Sequence, residues 1–217
     1  MDDNEFDRAL VAAGFELVAE RGWRRMRVVE AARRAGLPLD RARARFPCRA
    51  AVLMRFGRIA DQAALGGVSS EAAAGGDGPV RDRLFDMLMR RIDVLQAHRA
   101  GMVALLRGLP ADPPLALLLA AASLRSMGWL LDAAGVSAAG PLGALRAKGL
   151  LAVWLWTLRA WQRDESADLA ATMAALDQAL TRAGQAAAWL ERGPAPGPGK
   201  DEPPEAPGGQ DVMASGL

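Results

Sequence analysis

Residues 27–58, RVVEAARRAGLPLDRARARFPCRAAVLMRFGR, decide how the chain is read. The segment predicts a short helix ending at Ala35, a turn at Gly36-Leu37-Pro38 and a second short helix over Leu39 to Arg45. Phe46-Pro47 closes that helix, and a third begins near Cys48. Helix, Gly-containing turn and helix is the spacing of a DNA-binding helix-turn-helix. From Arg21 to Arg58 there are twelve arginines against only Glu30 and Asp40, so the segment is strongly basic. A solvated Arg-rich surface is the bland alternative.

Composition points the same way. At 217 residues, with 51% apolar and 24% charged residues, the chain is long enough for a real core and for one or two domains. Ala and Leu dominate and β-branched residues are few, which favours helix throughout. The net charge is only +2 although the sequence pI is near 9.3. The positive charge is therefore local, as nucleic acid or an acidic surface requires. Cys48 and His98 are the only residues of their types, which excludes an internal disulfide framework and a His/Cys metal cluster. No Ser-His-Asp set or Gly-rich phosphate loop is present. We expect no enzyme, no cofactor and no metal. The acidic start MDDNEFDRAL lacks a signal-peptide layout. The two most apolar runs, Leu115–Leu124 and Gly149–Leu158, fall short of the roughly 20 residues of a membrane span. The expectation is a cytoplasmic protein without stable membrane insertion.

The chain predicts an all-α fold, with a three-helix helix-turn-helix domain over 1–66 and a linker over 67–79. A helical bundle over 80–192 and a disordered Pro/Gly-rich tail over 193–217 follow. Phe6, Leu10, Ala13 and Leu17 set the stripe of the first helix, Gly22 is its left-handed C-cap, and Trp23 plugs the junction behind it. A fourth helix should end around Leu65-Gly66-Gly67. In the body, Leu84, Leu88, Ile92 and Leu95 face inward, while Arg81, Arg83, Arg90 and Arg91 face outward. His98 reads as a helix-end cap, Cys48 as a small buried filler, and Ser166 as the N-cap of the last helix. Leu151, Trp154, Leu155, Leu158 and Trp161, with Met173, Leu176 and Leu180 behind them, form an apolar face too large for one small body to cover. That predicts a homodimer through the last two helices. Met87, Met102, Met127 and Trp129 are candidates for a pocket holding a small apolar effector, with core packing as the other reading.

The landmarks Glu20-Arg21-Gly22, Ala35-Gly36-Leu37, Phe46-Pro47-Cys48-Arg49 and Val52-Leu53 resemble the N-terminal domain of TetR-type bacterial transcriptional regulators. Such proteins commonly have a hydroxyl residue where Pro38 stands, Tyr at the place of Arg43 and Lys at that of Arg49. The resemblance implies a homodimer that binds a palindromic operator on double-stranded DNA and is released by an apolar ligand. It places Arg27, Leu39, Asp40, Arg41, Arg43, Arg45 and Arg49 at the DNA. The two arginines can contact phosphate as Tyr and Lys do, whereas Pro38 cannot supply the capping hydroxyl.

A second pattern, Trp161-x2-Asp164-x-Ser166-x-Asp168-x3-Thr172-x3-Leu176-Asp177, is similar to a stretch of the lipid-binding accessory proteins of ubiquinone biosynthesis. That family shares the TetR fold but has lost DNA binding. This resemblance implies an isoprenoid ligand held in the body, and Gly22-Trp23 and the Arg83-to-Arg99 segment share it; the expected function is the DNA-binding regulator, with the lipid-binding accessory protein as the alternative. Ordinary helix capping is the alternative reading of these aspartates and Ser166.

Overall fold

The computed structural model describes residues 1–73 and 78–192, with side chains for 1–66 and 78–189. Its long elements are α1 (Asp3–Arg21), α2 (Val28–Arg34), α3 (Leu39–Arg45), α4 (Arg49–Ala73), α5 (Val80–Gln96), α6 (Arg99–Gly108), α7 (Pro113–Ala133), α8 (Gly140–Trp161) and α9 (Ala170–Arg192). Short 3₁₀ turns follow α1 and α6, and the described residues contain no strand. The expectation for residues 193–217 lies outside the described residues.

Local chemistry sets the helix ends. Asp2 accepts the Glu5 amide while Glu5 accepts the Asp2 amide, a capping box that starts α1. Gly22, at φ 79° and ψ 159°, ends it at the expected residue but outside the left-handed helical region. Gly36, at φ 64°, makes the turn between α2 and α3. Those two helices have seven residues each, too few to persist alone. Packing on α1 and α4 stabilises them through Ala31, Ala32, Leu37, Ala42, Phe46 and Val52, all buried. Trp23 plugs the same junction at 5% exposure. Pro38 stands at the N-cap of α3, which has no side-chain cap bond.

The head is closely joined to the body. Gly101 on α6 lies against the backbone of Phe15 on α1, so near that a Cβ there would overlap the Phe15 carbonyl. His98 stacks on Phe15, with ring centroids 5.3 Å apart, and meets the edge of Phe56 at 5.7 Å. It occupies the N-cap position of α6 without a capping bond from its side chain, so it is an interdomain packing residue and not a helix-end cap. Burial lowers its pKa below the ordinary 6.5.

Other expectations change as well. The fourth helix runs to Ala73, past Gly66-Gly67. Two glycines cost a helix about 1 kcal/mol each, and the Glu-Ala-Ala that follows is strong helix former. Arg91 faces inward at 5% exposure: it pairs with Asp61 on α4 and lies over the Trp154 ring at 4.8 Å. Ser126 on α7 donates to the same carboxylate at 2.6 Å. One buried charge thus ties α4, α5, α7 and α8 together. Cys48 is exposed, not a buried filler.

The last two helices are joined by a hydrogen-bonded clasp. Asp164 accepts from Ser166 N and Oγ at 3.1 and 2.5 Å and from Thr172 N and Oγ1 at 2.8 and 2.7 Å. Arg99 donates to the carbonyls of Trp161 and Asp164, and Trp161 Nε1 donates to Gln96 at 2.8 Å. α9 accordingly begins at Ala170, with Asp168 accepting the Ala170 amide. Ser166 is a donor to the clasp and does not cap the helix. The hydroxyls and amides hold the Asp164 carboxyl well below its ordinary value.

Candidate functional sites: the head face and the body cavity

α2 and α3 carry the residues assigned to DNA. A cleft of about 540 Å3 between them is lined by Arg27, Glu30, Arg33, Leu39, Arg43, Cys48 and Arg49 among others. Arg27, Leu39 and Arg43 are exposed there and Arg49 is half-buried, while Asp40 is exposed on α3 outside the cleft lining. The arginines of α3 also do work inside the chain. Arg41 donates to Asp3 at 2.5 Å and lies over the Phe6 ring at 4.4 Å. Arg45 grips the buried Asp7 through Nε and Nη2 at 2.6 and 2.7 Å, and reaches Asp3 with Nη1 at 2.7 Å. Arg43 donates to the Pro47 carbonyl at 2.7 Å. Arg49 donates to the Arg24 carbonyl at 3.0 Å and lies over Trp23. The hydrogen bond from Arg41 holds the Asp3 carboxyl below its ordinary value.

Two consequences follow for the electrostatics of this face. Acidic residues of α1 neutralise Arg41 and Arg45, and the exposed Asp3 and Asp40 lie beside the helix that would enter a groove. Among the described residues, the guanidiniums of Arg27 and Arg33 make no hydrogen bond or ion pair, so they are the freest cations of the cleft.

The body carries an apolar cavity of about 530 Å3, open to solvent on one side, between the N-terminal end of α5, the end of α7, the first half of α8 and the second half of α9. Its wall is Val80, Leu84, Leu131, Val136, Leu142, Leu145 and Leu150, with Leu180, Ala183, Gly184, Ala186 and Ala187 opposite. Arg81 and Arg146 are its charged lining residues. Arg81 pairs with Asp177 on α9. Small side chains on α9 and Gly149 on α8 open the space, while Leu142 and Leu145, 45% and 48% exposed, stand at its mouth.

None of the four residues expected at a pocket lines this cavity. Met87, Met102 and Met127 are packed in the core at 6% exposure or less, and Trp129 is 67% exposed. Sequence reading missed the cavity because its signal is small residues, Ala183-Gly184 and Ala186-Ala187, on a helix read for its leucines.

The apolar face of α8 is also distributed differently from expectation. Trp154, Leu158, Trp161, Leu176 and Leu180 are buried within the single chain, because α8 packs on α7 and α9 while Trp154 also meets Arg91 of α5. Leu151 and Met173 are half-buried. Leu155 and Trp156 remain exposed at 56% and 54%. One helix, α7, is long and apolar enough by length and composition to cross a membrane, because Ala, Ser and Met extend its leucine run. It nevertheless packs on α4 and α8 in the bundle, with Leu117 and Trp129 on its open side.

Among solved structures, the TetR transcriptional regulator from Nitrosomonas europaea ATCC 19718 matches 83% of this chain and 99% of its own, with TM-score 0.68 at 23% identity. The chain therefore has the TetR-type regulator fold, all-helical, with the helix-turn-helix in its first domain. No protein-family model and no curated protein matches the sequence.

Proposed function

We propose that this TetR-fold chain binds a chain-like apolar ligand, of the lipid or isoprenoid class, in the cavity between α5, α7, α8 and α9. The cavity carries the proposal. Its volume of about 530 Å3 lies within the roughly 300–1,000 Å3 usual for small-molecule sites, and its wall is almost wholly aliphatic. The resemblance of residues 161–177 to lipid-binding accessory proteins points to the isoprenoid class, although Asp164, Ser166 and Thr172 also serve as the clasp between α8 and α9. Its role is that of a binding protein rather than an enzyme. Organic extraction of the purified chain, read by mass spectrometry, tests this: a stoichiometric apolar compound is expected, and a lipid-free protein that takes up no isoprenoid when offered one contradicts it.

The fold likeness to a TetR transcriptional regulator supports operator binding, while the intrachain partners of the head arginines support a ligand-binding accessory role. Arg41, Arg43, Arg45 and Arg49 each have a partner inside the chain, so their presence does not require DNA. A retired DNA-binding head would keep them for stability. The second reading, a homodimeric DNA-binding regulator released by the same apolar ligand, is favoured by the cleft where Arg27 and Arg33 lie unpaired. It requires operator binding that falls steeply with salt and that Arg27→Ala removes. Selection from random DNA decides between the two: enrichment of a palindrome favours the regulator, and no enrichment favours the accessory protein.

A further inference from the structure

A second, polar site lies on the flank of the head, where α1, the end of α3 and α4 meet. We propose that Arg45, Arg55 and Arg58 bind a phosphate-class oxyanion there. They line a pocket of about 320 Å3 together with Asp7, Ala44 and Phe46. Asp7 is 1% exposed. It accepts both Arg45 Nε and Nη2 and also pairs with Arg55 Nε, so one buried carboxylate fixes the positions of two guanidinium planes. Arg55 Nη2 donates to Asn4 at 3.2 Å, which leaves Nη1 without a partner on α1. Asp3 takes Arg45 Nη1 from the outer side.

Arg58 completes the set. It follows Arg55 by three residues on α4, so the two side chains share one face of the helix. It is exposed, and its guanidinium has no hydrogen bond or ion pair among the described residues. The pocket thus holds three guanidiniums against Asp7, with Asp3 at its margin. One of the three guanidiniums is unpaired, and a second has donors left over. Planar guanidinium forks match the oxygens of a phosphoryl group two at a time. A tetrahedral oxyanion offers acceptors to both Arg55 and Arg58 at once. The volume leaves room for a second phosphoryl group or for the first atoms of an ester.

This pocket is separate from the other sites. It shares only Phe46 with the lining of the cleft between α2 and α3, and no residue with the apolar cavity. The inference therefore stands or falls independently of the apolar-ligand reading.

Calorimetric titration of the full chain with inorganic pyrophosphate at fixed ionic strength tests it, beside co-sedimentation with phosphatidylcholine vesicles containing phosphatidic acid. Saturable binding is expected that Arg58→Gln weakens by about tenfold or more, the loss of one or two charge-assisted hydrogen bonds. Arg33→Gln, in the other cleft, should leave it unchanged. Arg58 is exposed, so its variant should keep the circular dichroism of the parent. Arg58-dependent binding of either probe supports the site, and which probe binds tells a free phosphate compound from a lipid headgroup. Binding of neither, or binding that Arg58→Gln leaves intact, overturns it.

Discussion

Asp7 is 1% exposed and pairs with Arg45 and Arg55. Its carboxylate holds α3 and α4 to α1 from residues 38 and 48 places away in sequence. Asp7→Asn keeps the shape and removes the charge, leaving two guanidiniums facing a neutral amide. We expect a loss of about 2 kcal/mol, the scale of a hydrogen bond to a charged group, measured by urea denaturation. An unchanged midpoint would mean that the pairs contribute nothing net, as many exposed ion pairs do. His98 gives a pH dependence. Burial between Phe15 and Phe56 lowers its pKa below 6.5, so the folded chain binds fewer protons there than the unfolded chain. Stability from this residue is complete above the unfolded value and falls as pH drops below 6.5 toward the folded value. His98→Phe should flatten that slope in thermal melts between pH 5 and 7 on the order of the His titration range, and an unaltered slope would place the pH sensitivity elsewhere.

Contacts between elements explain which parts of the structure were readable. The three-four stripe of α1, the Gly22 and Gly36 punctuation and the spacing of α2 and α3 are local signals, and all reappear where the sequence places them. Partners brought from far along the chain leave no such signal. Arg91 looked like one of a row of surface arginines, until Asp61, thirty residues earlier, turned it inward. The apolar face of α8 looked surplus because periodicity shows that a face is apolar but not how many neighbours cover it. The α4 end was misplaced because a Gly-Gly pair reads as a stop, although a helix anchored at one end tolerates it. The close approach of α1 and α6 gives the clearest test at this scale. Gly101→Ala adds one methyl group where the Phe15 carbonyl already lies, so the head must move off the body. A cost of about 1–3 kcal/mol is expected from such overpacking. Gly149→Ala, where a Cβ meets nothing nearby, should cost far less in the same denaturation experiment.

At the scale of the whole molecule, the fold is a helix-turn-helix head held against a bundle that contains an apolar cavity. Homodimerisation, which we propose, must use the surface that the single chain leaves open, and Leu155 and Trp156 are the most exposed large apolar side chains of α8. Sedimentation velocity should show the double variant Leu155→Glu/Trp156→Glu as a monomer if that surface is the interface. A dimer that survives both substitutions would move the interface elsewhere. The cavity bears most directly on function. The decisive measurement is equilibrium titration of the delipidated chain with a short isoprenoid alcohol, in the parent and in Ala187→Phe, whose ring would fill the space between α8 and α9. We predict saturable one-to-one binding by the parent, lost in a variant that keeps its helical circular dichroism. Equal binding by both proteins, or by neither, would contradict the assignment of the cavity as the ligand site.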